Sequence, residues 1–220
     1  MNKTKFFFFL SSLILVLALP APSKGGTIFP DGESHKASWA EPIAVEGLPN
    51  FYCFAPGLYR GAQPTLRGLE KLQELGIKTI INLRSFHSDK EGVIKLGISY
   101  EQVYMKAWHA EKEDVVQFLR IVTDRSRLPI FVHCEHGSDR TGMMVAIYRV
   151  VVSGWTKEQA IQEMVEGGYG FHSIWANLTH FIRNLDVNAI RKQAGIIGHI
   201  PETFAPMPQI SPASNRSLAN

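Results

Sequence analysis

The segment HCEHGSDRTG, residues 133 to 142, holds the side chains most able to do chemistry. Five residues separate Cys134 from Arg140, enough for a loop whose backbone N–H groups can curl around a tetrahedral oxyanion with the sulfur beneath it. Gly137 supplies the backbone freedom that such a curl needs. The spacing therefore predicts a binding site for a phosphate group.

The side chains of this loop are suited to covalent attack on phosphorus. Backbone N–H groups, the end of the following helix and Arg140 would each favour the thiolate of Cys134, which is the nucleophilic form. Arg140 offers a planar fork that can bind two phosphate oxygens, and Thr141 could donate its hydroxyl to the sulfur. We predict Cys134 and Arg140 as catalytic residues, with Thr141 in support. The predicted phosphate-binding residues are Glu135, His136, Gly137, Ser138, Asp139 and Arg140.

The elements around the loop place it where a phosphate can bind. LPIFVHC, residues 128 to 134, is typical of a buried strand, and residues 141 to 152 of a mostly apolar helix. In open α/β sheets, ligands bind beyond the carboxyl ends of strands, and helix N-termini offer unpaired N–H groups to anions. The loop is therefore expected at such a junction.

Apolar and amphipathic segments alternate along the rest of the chain. The patterns predict a hairpin over residues 51–60, strands over 78–84 and 99–105, and helices over 64–75, 89–96, 111–123, 156–165 and 173–193. The first of these helices would have Pro64 in its first turn. Strands separated by helices indicate an α/β fold, with a single central, mostly parallel sheet flanked by helices.

The two ends of the chain differ from its middle. Residues 1–25 begin with Lys3 and Lys5, continue through an uncharged apolar run from Phe6 to Leu19 and end in small residues and prolines, which is the layout of a secretory signal peptide. The run is shorter than the roughly 20 residues that span a bilayer, so we expect cleavage, no stable membrane span, and export to the periplasm or the medium. Residues 26–49 are predicted as a linker, 50–193 as the domain and 194–220 as a disordered tail.

Composition restricts the partners. The formal net charge of +3 is small and scattered, so nucleic acid is not expected as a partner. Cys53 and Cys134 are the only cysteines, and the fold cannot depend on a disulfide framework. A reversible disulfide between them could switch activity off, although packing of Cys53 in the first strand is the simpler interpretation.

The loop resembles the signature of the protein tyrosine phosphatase superfamily, which is His-Cys, five residues, and then Arg followed by Ser or Thr. The residues in pattern are His133, Cys134, Gly137, Arg140, Thr141 and Gly142. The order of elements from residue 51 to 185 is similar to the dual-specificity branch, especially its compact bacterial members, and YRGAQP at residues 59–64 resembles their opening segment. The resemblance implies a phosphatase with a phosphocysteine intermediate, with no metal and no cofactor, and with His133 in a supporting role.

The general acid departs from the pattern of the family. Familiar members place an aspartate about thirty residues before the cysteine, where this chain reads QVYMKAWHAEKED and has none at the expected place. CEHGSDRTG resembles the loops of myotubularin-type lipid phosphatases and of certain bacterial secreted tyrosine phosphatases, whose aspartate before Arg-Thr is a proposed acid. We therefore predict Asp139 as the acid, with Glu113 and Glu111 as alternatives. Asp139 could instead orient Arg140 or cap the following helix.

The resemblance leaves two substrate classes open, phosphotyrosine or phosphoserine in proteins and phosphoinositides or inositol phosphates. The loop has no lysine of the kind that many phosphoinositide phosphatases use to grip additional phosphates. The oligomeric state is not indicated by the sequence.

The loop also has other interpretations. Cys134 could be a buried hydrophobe, or a metal ligand with His133 and His136, but adjacent strand residues point to opposite faces. A rhodanese-like sulfur carrier typically has a loop one residue shorter. The principal alternative is a catalytically silent phosphate-binding module, which would typically have lost Cys134 or Arg140.

Overall fold

A six-stranded sheet forms the centre of the computed structural model, which describes residue 36 and residues 38–196. The strands are β1 Glu41–Pro42, β2 Tyr52–Ala55, β3 Leu58–Gly61, β4 Thr79–Asn82, β5 Ser99–Gln102 and β6 Ile130–His133. Their order is β1-β2-β3-β6-β4-β5. Strand β3 pairs with β6, β6 with β4, and β4 with β5, all in parallel. Strands β1 and β2, and strands β2 and β3, pair antiparallel. Strand β6 therefore lies inside the sheet, between two parallel partners.

Seven α-helices of the described residues cover the two faces of this sheet. They are α1 Leu66–Glu74, α2 Lys90–Lys95, α3 Lys112–Val122, α4 Asp139–Val151, α5 Lys157–Glu166, α6 Ala176–Arg183 and α7 Val187–Ala194. The predicted fold class, one central sheet flanked by helices, is confirmed. No helix in the described part of the chain is long and apolar enough to cross a membrane.

The two faces of the sheet carry separate cores because successive strand residues point in opposite directions. Ile81 and Val132 pack in the larger core with α3 to α7, and Ile80 and Phe131 pack in the smaller core with α1 and α2. Cys134 belongs to the larger core. The loop that begins at this residue therefore emerges from the better covered face.

Residues 40–49 belong to the domain, so the predicted linker is wrong at its C-terminal end. Glu41 pairs with Cys53 in the sheet, the backbone N–H of Ala40 donates to Glu163 Oε1 at 2.8 Å, and Leu48 is buried. The segment lacks strand periodicity because only two of its residues join the sheet. The predicted signal peptide lies outside the described residues, as do residues 197–220 of the predicted tail, whereas Ala194, predicted as the first residue of the tail, is the last residue of α7.

Two helix predictions need correction at their boundaries. The first helix begins at Leu66, since Thr65 Oγ1 accepts from the N–H of Gly68 at 3.0 Å, and Pro64 precedes it. The single helix predicted over 173–193 is a 3-10 turn followed by α6 and α7. The break occurs where Leu185 is buried and the carboxylate of Asp186 caps α7. A local cap therefore starts a new helix within one apolar pattern.

Candidate active site

Strand β6 and helix α4 join through the loop that the sequence singles out. Cys134 follows the last residue of β6, and Arg140 lies in the first turn of α4. Because β3, β4, β5 and β6 are parallel, their carboxyl ends meet at one edge, and the loop lies near the middle of that edge. The structure thus brings Cys134, Asp139 and Arg140 together within one short curled segment.

Glycine is required at the centre of this loop. Gly137 has a φ of 74°, in the left-handed region that residues with a side chain rarely adopt. A Cβ at this position would lie 2.5 Å from the carbonyl carbon of Gly61. The loop therefore packs closely against the end of β3. Cys134 itself is only 2% exposed.

Two arginines lie near Glu135, the first of the two acidic residues of the loop. Glu135 Oε2 lies 3.4 Å from Arg84 Nη2 and 4.0 Å from Arg140 Nη2, and the Glu135 side chain is half-exposed. The guanidinium of Arg140 therefore has no tight carboxylate partner among the described residues. It is free to bind two oxygens of a phosphate in the loop.

His133 connects the loop to a buried carboxylate. Its Nδ1 lies 3.1 Å from the carbonyl oxygen of Cys134, and its Nε2 makes an ion-pair contact of 3.2 Å with Asp89 Oδ2. Asn82 and Gln63 also donate to the Asp89 carboxylate, each at 3.0 Å. Burial opposes ionisation of Asp89, but the contacts with His133 and Gln63 outweigh it and hold the pKa of this carboxyl well below its ordinary value. The backbone of Cys134 is thereby held in place through His133.

A second loop, residues 169–172, packs against the phosphate loop. Ser138 Oγ donates to the carbonyl oxygen of Tyr169 at 2.7 Å, so its hydroxyl is engaged in structure. Asn50 Nδ2 donates to the carbonyl oxygens of His136 and Tyr169, at 2.8 and 2.9 Å. These bonds tie three segments that are distant in sequence into one rim.

Asp139 is paired with a histidine that sequence analysis did not select. Its Oδ1 accepts from the backbone N–H of His172 at 2.9 Å, and its Oδ2 lies 3.0 Å from His172 Nδ1. The carboxylate is nearly buried, whereas the His172 ring is half-exposed and lies 5.7 Å from the ring of His136. Asp139 and His172 therefore form a carboxylate–imidazole pair at the rim of the loop, and the role of Asp139 as general acid stays a prediction.

The remaining predicted residues differ in their placement. Thr141 Oγ1 is buried and has no hydrogen-bond partner among the described residues, so the expected bond to the sulfur is not formed here. Glu111 contacts His109 at 3.5 Å, and Glu113 lines a groove with Arg120. The contacts of the two glutamates lie on α3 and the segment before it, and neither glutamate is paired with a residue of the phosphate loop.

A disulfide between Cys53 and Cys134 is incompatible with this fold. Both are free cysteines, and they pack on opposite faces of the sheet. Cys53 pairs with Tyr59, which pairs with Phe131, so the Cα atoms of Cys53 and Phe131 are two strand spacings apart, about 10 Å. Cys134 lies three residues beyond Phe131, about another 10 Å along the strand direction. The Cα atoms are therefore much farther apart than the roughly 7 Å that a disulfide tolerates.

Arg60 is a buried residue of the site that sequence analysis missed. It is 1% exposed, its Nη2 donates to the carbonyl oxygen of Gly137 at 2.6 Å, and its guanidinium lies 3.9 Å from the ring centre of Tyr169. Burial lowers its pKa. The segment YRGAQP carries a family resemblance, but nothing in its spacing indicates which strand it would pair with.

Exposed apolar side chains surround the edge of the sheet that carries the loop. Phe86 follows β4, Trp108 follows β5, and Ile174 follows the Asp139-bound His172. No group of three His, Cys, Asp or Glu side chains within residues 38–196 is arranged to hold a metal ion.

Comparison with known proteins matches this architecture to one family. The model of the family described as a DSP-PTPase phosphatase fused to NAD+ kinase matches residues 55–176, more than half of the chain. The dual specificity protein phosphatase TpbA of Pseudomonas aeruginosa is 32% identical over 185 residues, covering 81% of this chain and 82% of TpbA.

A solved structure and a plant relative extend the comparison. A crystal structure of a cysteine-to-serine variant of P. aeruginosa TpbA in complex with pTyr has a TM-score of 0.64 and 29% identity, covering 72% of this chain and 96% of that one. Inositol diphosphatase DSP5 of Arabidopsis thaliana is 29% identical over 125 residues, covering 52% of this chain and 60% of DSP5.

Proposed function

This chain belongs to the dual-specificity branch of the protein tyrosine phosphatase superfamily and is a phosphatase, and we propose that it hydrolyses phosphotyrosine in proteins through a phosphocysteine intermediate on Cys134. The observation that carries the proposal is the curled loop between β6 and α4, with the sulfur at its start and Arg140 at its end. Such a junction directs backbone N–H groups at an anion.

In the first step, the thiolate of Cys134 attacks phosphorus while the bond from phosphorus to the ester oxygen breaks. Arg140 and the loop N–H groups bind the non-bridging oxygens, where negative charge must be stabilised in the transition state. The leaving oxygen accepts a proton from a general acid, so that tyrosine departs as a neutral phenol.

In the second step, water attacks the phosphocysteine and the sulfur–phosphorus bond breaks. The proton lost by the water passes to the conjugate base of the general acid, and the products are inorganic phosphate and the regenerated thiolate. The unpartnered hydroxyl of Thr141 is available to donate to the departing sulfur. This bond would favour the thiolate as a leaving group.

We assign the general acid to Asp139, acting together with His172. Asp139 adjoins Arg140 in the first turn of α4, and its carboxylate is within hydrogen-bond distance of His172 Nδ1. A proton shared by this pair can reach the carboxyl oxygen or return to the half-exposed imidazole. The pair therefore links a nearly buried acid to solvent.

Charge and apolar surface favour a phosphoprotein over a polyanion. Glu135 and Asp139 place two acidic groups in the phosphate loop, which would repel a densely charged inositol polyphosphate. The exposed side chains of Phe86, Trp108 and Ile174 suit an aromatic residue within a peptide. The complex of a TpbA variant with pTyr is consistent with this choice, and the similarity to DSP5 makes inositol diphosphates the second candidate.

The proposal includes export from the cytoplasm. Its basis is the layout of residues 1–25, which lie outside the described part of the chain. Cell fractionation of the tagged full chain, with the N-terminal sequence of the mature protein, tests this part. Recovery of the uncleaved protein in the cytoplasm would contradict the proposed export.

The activity is tested on purified protein with matched phosphotyrosine and phosphoserine peptides, phosphoinositides, inositol polyphosphates and inositol diphosphates. We expect kcat/KM for the phosphotyrosine peptide to exceed the others by about tenfold or more. Vanadate should inhibit because it mimics five-coordinate phosphorus, and EDTA should not. Higher activity on inositol diphosphates than on the phosphotyrosine peptide would contradict the proposed substrate. Activity that is lost on chelation and restored by zinc would favour a metal site at His133 and His136.

A further inference from the structure

Arg60 is a buried charge that the proposed chemistry does not use. It lies in β3 and is almost completely removed from solvent. A buried guanidinium without a compensating partner strongly destabilises the folded state. Its presence beside the phosphate loop therefore requires a compensating interaction.

The contacts of Arg60 lead to the phosphate loop. Nη2 donates to the carbonyl oxygen of Gly137 at 2.6 Å, and the guanidinium stacks on the ring of Tyr169 at 3.9 Å. Nε is buried and has no hydrogen-bond partner in the described part of the chain. The side chain thus holds the middle of the loop while its charge remains without an ion-pair partner among residues 38–196.

Two carboxylates close to the loop are already engaged by histidines. Asp89 contacts His133 at 3.2 Å, and Asp139 contacts His172 at 3.0 Å. Neither forms an ion pair with Arg60. Each of these carboxylates has a histidine, and not Arg60, as its contact.

The two neighbouring glutamates are engaged by other arginines. Glu163 forms a buried, two-pronged pair with Arg149 at 2.8 and 2.9 Å, and Tyr169 Oη donates to the same carboxylate. Glu135 lies beside Arg84 at 3.4 Å. Among the described residues, the charge of Arg60 is therefore not neutralised by a contacting carboxylate.

Arg60 leaves the sheet on the same face as Cys134, because it pairs with Val132 across β3 and β6 and Cys134 lies two residues beyond Val132. Burial is the largest influence on the pKa of Arg60 and lowers it, while the electrostatic effects of several neighbouring groups, Cys134 among them, oppose this lowering. Electrostatic attraction is mutual, so an arginine stabilised by the ionised sulfur also favours ionisation of that sulfur. Arg140, in the first turn of α4, is the group expected to bind the phosphate.

We infer that Arg60 is a positioning residue of this phosphatase, whose guanidinium holds the carbonyl group of Gly137 in the curled loop and supplies a permanent positive charge that keeps the Cys134 sulfur ionised. This inference rests on the proposed phosphocysteine mechanism. Arginine suits the role because its planar guanidinium donates to the carbonyl oxygen of Gly137 and stacks on the ring of Tyr169 at the same time. Arg140 is thereby left to bind the substrate.

The test measures ionisation of the sulfur without turnover. In a Cys53→Ser background, Cys134 is the single cysteine, and its alkylation rate by iodoacetamide is followed against pH, with inorganic phosphate as a protecting ligand. Arg60→Met should raise the pH of half-maximal rate by about one unit, leaving about tenfold less thiolate near neutral pH. Arg60→Lys should raise it by less than about half a unit, because the charge is kept.

Arg149→Met is the matched control, since it removes another buried arginine that lies farther along the same network. It should lower the melting temperature while leaving the alkylation midpoint within about half a unit of wild type. A parallel assay should show kcat for a phosphotyrosine peptide reduced about tenfold in Arg60→Met, with a smaller change in KM.

A folded Arg60→Met protein whose midpoint moves by less than about half a unit would overturn the inference, as would an equal shift in Arg149→Met. If Arg60→Met does not fold, Arg60→Gln takes its place, because glutamine can still donate to the carbonyl oxygen of Gly137 but carries no charge: a midpoint shift of about one unit supports the inference, and one below about half a unit overturns it. Alkylation does not require phosphatase activity, so this outcome is separate from the Cys134→Ser assay that tests the mechanism.

Discussion

Cys53 and Cys134 are the two cysteines of the chain, and they differ in the elements that surround them. Cys53 lies in β2, and its Sγ donates to the carbonyl oxygen of Ala55 at 3.3 Å. Burial raises the pKa of its thiol. Cys134 follows β6 and begins a loop that Arg60 contacts at Gly137 and that ends at Arg140. The same side chain is a packing group in one place and the candidate nucleophile in the other.

The connection after each strand explains this difference. Strand β2 turns directly into the antiparallel β3, and a hairpin offers no helix end to an anion. Strand β6 leads into α4, whose N-terminus carries unpaired N–H groups and partial positive charge. The reactivity of each cysteine therefore depends on the element that comes after its strand, and the difference can be tested at both sites.

The largest expected effect is on turnover when the nucleophile is removed. Cys134→Ser should lower kcat by about 10³-fold or more, because a hydroxyl is a poor nucleophile at its normal pKa. The fold and anion binding should persist, as judged by circular dichroism and phosphate binding. Cys53→Ser is the matched variant and should stay within about twofold of wild type. Turnover in Cys134→Ser above about a tenth of wild type would exclude the covalent mechanism.

Arg140→Lys should lower kcat/KM by about 10²-fold, since an ammonium group cannot reproduce the two-pronged contact with phosphate. Steady-state assays with a phosphotyrosine peptide measure the effect. Arg84→Lys is the control, because Arg84 contacts Glu135 and Gln63 from outside the phosphate loop. Equal losses in the two variants would mean that general positive charge, and not the fork of Arg140, is what matters.

The general acid is tested through the leaving group. Asp139→Asn should slow an ordinary aryl or alkyl phosphate by about 10²-fold and an activated ester much less, since a good leaving group needs little protonation. His172→Gln should show the same dependence on the leaving group, but more weakly. Equal slowing of both substrates in Asp139→Asn would assign Asp139 a structural role and return the search to Glu113 and Glu111.

The two thiols should also differ in their reaction with iodoacetamide. At pH 7, Cys134 should be alkylated about tenfold faster than Cys53, because burial keeps the Cys53 thiol protonated. Peptide mass spectrometry at several pH values measures both rates, and the difference should narrow as the pH rises toward the pKa of Cys53. After mild peroxide, reversible inactivation should occur without a Cys53–Cys134 linked peptide. Detection of that peptide from folded protein would contradict the arrangement of the sheet.

The smallest expected effect is on the stability of the protein when the contact between Asp89 and His133, beside Cys134, is changed. Asp89→Asn should lower the free energy of unfolding by about 1–3 kcal/mol near pH 7, because it removes a charged partner of His133. The folded-state pKa of Asp89 is depressed, so its contribution is fully present above the unfolded-state value of about 4, declines as the pH falls below that value, and is lost once the pH has fallen through the folded-state pKa. Urea unfolding at pH 7 and pH 3 measures this. An equal cost at both values would show that the charge is not involved.

The phosphate loop and its flanking elements could be predicted because their determinants are local. The apolar run through Val132, the spacing from Cys134 to Arg140 and the glycine at 137 all lie within about a dozen residues. The pairing of Asp139 with His172 could not be predicted in this way, because it spans 33 positions. Nor could the role of residues 40–49, whose two-residue strand carries no periodic signal.

The position and spacing of the phosphate loop can be predicted from the chain alone, since a strand, a glycine turn and a helix start follow one another within a dozen residues. The groups that surround the loop depend on tertiary packing. The order of β3, β6 and β4 brings Arg60 to a carbonyl group 77 positions away, and it places Asp89 beside His133. Strand pairing also sends Cys53 to the opposite face from Cys134. Spacing along the chain fixes the relative positions of residues close in sequence, whereas the pairing and packing of the strands fix which distant charged residues lie next to each other.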